Sequence, residues 1–216
     1  MSPTRKSSPK KPIKIESNKR KFPVKAKRKP AVKKTISHSN VPSEYLQSAF
    51  KVLISYKTLG ERAIGQVSEE KLFWQFNEGS NSIAIIVKHL WGNMISRWTD
   101  FLTTDGEKPW RNRDTEFENN FKTRAELFSI WDEGWTRMFD TIEELNDNDL
   151  TKIVYIRGEA HTVIEAINRQ IAHYSYHIGQ IVFIAKMVSK DQWKSLSIPK
   201  GKSKEFNEKL FAKPKH

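Results

Sequence analysis

Apolar residues return every three or four positions along four separate stretches of this 216-residue chain. That period is helical, so the chain can bury its apolar surface only by packing helix against helix. The first helix is expected from Ser43, just after Pro42, to about Val67, with Leu46, Ala49, Phe50, Leu53, Gly60, Ala63, Ile64 and Val67 on one stripe. A second is expected from Ser82 to Leu102, with Ile83, Ile86, Val87, Leu90, Met94, Trp98 and Phe101 facing inward. A capping box, Thr123 to Glu126, opens the third, which ends near Leu145 before Asn146-Asp-Asn-Asp149. A second capping box, Thr162 to Glu165, opens the fourth, which runs to about Val188.

Four helices of roughly 20 residues, about 30 Å each, predict an all-α four-helix bundle. The long linker after the second helix suits a crossover between non-adjacent positions. Residues 68–80 read as a connection with Trp74 or Phe76 docked on the core, and 105–114 as a polar loop. The β-branched run Ile153 to Ile156 predicts one short extended segment, and Trp193 and Leu196 should pin the C-terminal stretch.

Charge divides the chain. The first 40 residues hold 14 of the 38 Lys and Arg and one of the 25 acids, Glu16, which leaves 24 of each sign in the remainder. The formal charge of +13 therefore belongs to the N-terminal segment alone. That segment is rich in Lys, Pro and Ser and has no apolar period, so it cannot offset its ordering entropy. The domain organisation expected is a disordered basic tail over 1–41, a helical domain over 42–208 and a flexible C-terminus over 209–216. Basic clusters within residues 5–34 could contact nucleic-acid phosphates without reading sequence, or serve only as a solubilising extension. No stretch approaches the ~20 apolar residues of a membrane span, and no secretory leader is expected, so a cytoplasmic location follows as an expectation.

The chain has no cysteine, so a disulfide framework, a thiolate nucleophile and Cys-based metal sites are excluded. Any metal must be held by histidine and carboxylate. His173 and His177, in His-Tyr-Ser-Tyr-His, stand four apart on one helical face, where two imidazoles can converge on one ion. Spacing alone equally allows two ordinary helical histidines. His38 and His216 lie in tails, and His161 would sit roughly 18 Å from His173 if the helix already covered it. His89, at the edge of the second helix's apolar stripe, is the good third ligand. Tyr174 stands where a zinc protease of the His-Glu-x-x-His type carries its glutamate, which disfavours that chemistry. Asn93 shares a face with His89, and Gln170 and Gln180 share one with His173 and His177. These amides could orient imidazoles, line a substrate pocket, or simply be buried. Trp110, Arg111 and Arg113 could form a substrate mouth, or Trp110 could dock on the core.

The stretches NSIAIIVKHLWGNMISRW, DFLTTDGEKPWRNRD, AINRQIAHYSYHIGQI and SLSIPKGKS resemble the DinB-like superfamily of metalloenzymes, and within it a bacterial domain-of-unknown-function branch. The superfamily includes YfiT-type and bacillithiol S-transferase proteins. The resemblance covers residues 43–208. It implies an up-down-down-up bundle, often a homodimer, in which His89, His173 and His177 bind one divalent metal (Ni, Zn, Mn or Fe) with positions left open. It further implies a metal-dependent enzyme acting on a small molecule, possibly a transferase using a low-molecular-weight thiol. The competing expectation is a non-catalytic, dimerising metal-binding protein whose tail associates with nucleic acid.

Overall fold

The computed structural model describes residues 44–212 and is mostly helical. Its long helices are α1 (Glu44–Ile64), α3 (Ile83–Trp98), α4 (Arg124–Glu144) and α5 (Val163–Ser189). A single turn, α2 (Glu69–Leu72), follows α1, and α6 (Ser203–Phe211) lies near the C-terminus. The basic segment, and the nucleic-acid contacts expected of it, lie outside the described residues.

The local signals act where they were expected. Thr123 and Thr162 each accept from the backbone amide of the glutamate three residues on, and each glutamate accepts in return from the cap's backbone N–H. Ser82 caps α3 through the Ile85 N–H, 3.1 Å away. The expected ends shift in two places. α1 stops at Ile64, so Val67 is buried from the following turn. α3 stops at Trp98, because its C-cap Thr99 is extended (ψ 127°) and Asp100 beyond it is left-handed (φ 48°). The last turn of α6 falls within the stretch read from sequence as a flexible C-terminus.

Contacts along the helices fix their relative directions. Trp91 donates to Glu133 and Thr141 donates to the Trp98 carbonyl, so α3 and α4 run the same way. Tyr45 donates to Asn168, while Ser189 donates to the Gln66 carbonyl, so α1 and α5 also run together. Phe50 packs on Phe139 while Arg124 donates to the Ile64 carbonyl, so α1 and α4 are opposed. It follows that α3 and α5 are opposed as well. The core between them includes Phe50, Leu53, Leu90, Trp98, Trp135 and Tyr174, all with almost no exposure.

Thirteen of the sixteen residues of α3 are buried, so its outer side must be covered too. The crossover does this. A 3-10 turn, Asp114–Phe117, lies against α3, and the buried Lys88 ammonium donates to the carbonyls of Thr115 and Glu118 and to the Asn120 side chain.

One expected extended segment is instead a two-stranded antiparallel hairpin, β1 (Ile153–Ile156) with β2 (Glu159–Thr162). Val154 and Ile156 point inward and Ile153 and Tyr155 outward, the alternation of a strand buried on one face. Arg157 and Gly158 both take positive φ, 57° and 76°, as a tight two-residue hairpin turn requires. The Asp105 carboxylate holds this turn by accepting from the N–H groups of Arg157 and Gly158 at 2.8 and 2.7 Å. The hairpin is thereby pinned to the crossover. Since Thr162 is the cap of α5, His161 lies on β2 rather than on the helix.

In residues 68–80, Leu72 is buried and Phe73 packs against the core, while Trp74 is half-buried and Phe76 is 74% exposed. Trp193 and Leu196 pack against the core as expected. No described helix is long and apolar enough to cross a membrane.

Candidate metal centre

His89 is buried on α3, and His173 and His177 occupy successive turns of α5. Because α3 and α5 face each other, the three imidazoles meet between them, with their ligand atoms all within 4.8 Å of one another. The His173 Nε2 lies 3.3 Å from the His89 Nε2 and 3.1 Å from the His177 Nε2.

The other ring nitrogens say which tautomers these are. His89 Nδ1 is 2.9 Å from Glu116 Oε2, and His177 Nδ1 is 2.8 Å from Gln180 Oε1. Burial pushes the Glu116 carboxyl up, but hydrogen bonds from His89 and Arg111 outweigh it and hold Glu116 below the usual carboxylate range. An ionised carboxylate only accepts, so His89 Nδ1 carries a proton, and in the neutral ring its Nε2 presents a lone pair. Gln180 turns its oxygen to His177 and its amide nitrogen to the Tyr176 hydroxyl, 3.2 Å away. His177 Nε2 is then a lone pair too.

Two lone pairs therefore face the His173 Nε2, which can carry at most one proton. A shared cation resolves this. Nitrogens held about 2.0–2.1 Å from one ion stand roughly 2.9 Å apart at a right angle and 3.3 Å apart at the tetrahedral angle. The spacings of His173 from His89 and from His177 fall in that range, and the third pair, His89 and His177, lies within 4.8 Å. The donor set fits a divalent metal of the kind imidazole favours. Burial lowers the His173 pKa to about 3, with the neighbouring His177 and His89 adding to it, and lowers that of His177 to about 4. Both rings are thus neutral and ready to ligate well below the ~6.5 at which an ordinary histidine protonates.

Glu116 is itself held in place. Arg111 grips both its oxygens, at 2.7 and 3.0 Å, and also donates to Glu107, which Arg157 of the hairpin turn reaches at 3.1 Å. The His89 ring stacks on Phe117, with centroids 5.2 Å apart, and the Arg113 guanidinium lies over the far ring at 5.1 Å.

The remaining sequence candidates separate. Gln180 sits against His177. Asn93 hydrogen-bonds to no imidazole; its Oδ1 accepts from the Tyr174 hydroxyl, which in turn accepts from Trp98 Nε1. Tyr174 is therefore a core residue pointing away from the cluster. Gln170 also hydrogen-bonds to no imidazole and, with Asn93, Arg111 and Arg113, lines a cavity of about 430 Å³ that the three histidines share. Trp110 neither docks on the core nor lines that cavity; it is 59% exposed. His161 stays outside the cluster, opposite Val154. Sequence reasoning missed Glu116 and Arg97. Arg97 had a signal, since it continues the stripe of His89 and Asn93 at four-residue spacing. Glu116 had none.

A mostly helical chain that gathers three histidines from two facing helices defines a class of protein with a site able to hold a metal. The chain belongs to the family described as protein of unknown function DUF1572, which matches residues 40–202. No curated protein matches it.

Proposed function

We propose that this is a DinB-like up-down-down-up four-helix bundle, with α1 and α5 running one way and α3 and α4 the other, that binds one divalent ion through His89, His173 and His177. The observation that carries the metal reading is the convergence of three Nε2 atoms, two with their lone pairs set by Glu116 and Gln180. Three protein ligands are the complement of a catalytic rather than a purely structural site. A bound metal would supply Lewis acidity to a coordinated group, lowering the pKa of a thiol or water or polarising a carbonyl. The chain's own residues then do the rest. Glu116 and Gln180 hold the imidazole tautomers, Phe117 walls the site, and the cavity beside it admits a small molecule.

The reaction class proposed, from resemblance to the YfiT-type and bacillithiol S-transferase proteins, is metal-dependent transfer of a low-molecular-weight thiol in the cytoplasm. Metal analysis of untagged protein tests the site. One ion per chain is expected in the wild type and in His161→Ala, and loss in His89→Ala and His177→Ala. Full metal in those two variants would refute the assignment. Thiol chemistry is tested separately, by rates of a thiol and electrophile panel with holo and metal-free protein.

A homodimer is proposed on the same resemblance; Tyr176, Phe183 and Met187 leave an exposed apolar stripe on α5 that could meet a second copy. A mass measurement by light scattering decides it. The second functional reading, a non-catalytic protein whose basic segment binds nucleic acid, is favoured by the confinement of all net charge to the first 40 residues. It predicts DNA binding by the full chain that weakens steeply with salt and is largely lost in residues 41–216. Equal affinity of the two would end it.

A further inference from the structure

The cavity beside the histidines is lined by five arginines, Arg97, Arg111, Arg113, Arg157 and Arg169, and by no carboxylate. Three of them have acidic partners elsewhere. Arg111 is bound to Glu116 and Glu107, Arg157 lies 3.1 Å from Glu107, and Arg169 lies 3.8 Å from Glu159. Arg113 rests on Phe117. Arg97 differs from all of these. It is 4% exposed, forms no ion pair among the described residues, and its Nε and one terminal amine have no hydrogen-bond partner there. A buried, unpaired guanidinium is costly to a fold.

Room is kept for it as well. A Cβ on Gly106 would lie 2.8 Å from the Arg97 Cδ, so the crossover passes this side chain with a residue that has none. Gln170, 2% exposed, adds a second unsatisfied group, its Oε1.

The two orphans share one side of the cluster. Arg97 lies eight residues beyond His89 on α3, a rise of ~12 Å, and helical side chains lean toward the N-terminus, which brings its guanidinium back toward the histidines. Gln170 lies three residues before His173 on α5. Because α3 and α5 are opposed, both groups stand on the same side, about one helical turn from the imidazoles.

We propose that this cavity binds a small two-ended anion, with one end at the three-histidine centre and a carboxylate or phosphate group held by Arg97. Gln170 accepts a hydrogen bond from a hydroxyl or amine between the two ends. This rests on the metal reading above and names the substrate class for that site.

The test uses full-length protein loaded with Co(II), read by its visible d–d spectrum and by calorimetry. Malate carries two carboxylates and a hydroxyl, phosphoglycolate carries a phosphate as its second end, and acetate has one end only. Malate or phosphoglycolate should bind about 10–100-fold more tightly than acetate, and which of them does so tells carboxylate from phosphate. Arg97→Met should erase that difference while still binding one cobalt per chain, and Arg97→Lys should restore part of it. Arg97→Met should also melt no lower than wild type, since it removes an unpaired buried charge. Every variant keeps the basic N-terminal segment, so anion binding there cancels between Arg97→Met and wild type.

Equal affinity for all three anions, or an Arg97→Met protein indistinguishable from wild type, overturns the proposal. If cobalt fails to bind the wild type, the metal reading falls. The anion site is then judged by calorimetry on metal-free protein, where Arg97-dependent binding upholds it and its absence overturns it.

Discussion

Glu116 Oε2 stands 2.9 Å from His89 Nδ1, and that contact decides which nitrogen of His89 faces the other two histidines. The carboxylate comes from a 3-10 turn 27 residues away in the chain, held against α3 by Lys88 and gripped by Arg111. A ligand's basicity and orientation depend on such a partner as much as on the ligand itself.

Glu116→Gln should therefore weaken metal binding by about 10–100-fold without abolishing it. Gln180→Ala should do the same through His177, and Gln170→Ala, which frees no imidazole, should leave metal affinity within a few-fold of wild type. Competition against a chromophoric chelator measures all three. A larger loss in Gln170→Ala than in Glu116→Gln would show that the tautomer argument is wrong.

Gly92 lies on α3 beneath the Glu116 carboxylate, where an added Cβ would come 2.7 Å from the Glu116 Cδ. Alanine is otherwise the better helix former, by roughly 1 kcal/mol. Gly92→Ala should consequently keep or raise helicity while displacing Glu116 and lowering metal affinity toward that of Glu116→Gln. Circular dichroism and chelator competition on one preparation separate the two effects. Undiminished affinity would mean that Glu116 does not act from this position.

The metal-free protein should lose stability as pH falls below about 6.5. His173 and His177 are held at about 3 and about 4 by burial, against an ordinary value of 6.5. Between those limits the unfolded chain binds more protons than the folded one, so unfolding is favoured by acid, and the loss is complete only near the folded values. The same depression moves the acid limit of metal binding below the ~6.5 at which an ordinary histidine protonates. Melting temperatures from pH 4.5 to 7.5 check it. A profile unchanged in His173→Phe and His177→Phe would assign the acid sensitivity to other groups.

Tyr174→Phe should cost about 1–3 kcal/mol of stability, because it leaves the buried Trp98 Nε1 without an acceptor and Asn93 without its donor. Metal stoichiometry should stay at the wild-type level, since the hydroxyl points into the core. Denaturant unfolding and elemental analysis give the two readouts. Loss of metal in a folded Tyr174→Phe protein would place Tyr174 in the site.

Helical period, capping boxes and the four-residue step from His173 to His177 are local properties, set by which side chains share a face and which can reach a nearby backbone amide. They were legible in residues 44–189 for that reason, and the choice of His89 followed because its place on an apolar stripe obliges it to face a neighbouring helix. Glu116 was not legible. Nothing in a polar crossover marks which of its acids will fold back onto a histidine 27 positions earlier. The hairpin was half legible, since Ile153 to Ile156 alternates while Glu159 to Thr162 is polar and gains its strand character only by pairing. Asn93, Gln170 and Gln180 looked equivalent on their helical faces. Only the opposed packing of α3 and α5 gave one to an imidazole, one to a core tyrosine and one to the cavity, because a side chain's partner across a helix interface depends on the relative direction and offset of two helices, and those are set by the packing of the whole core.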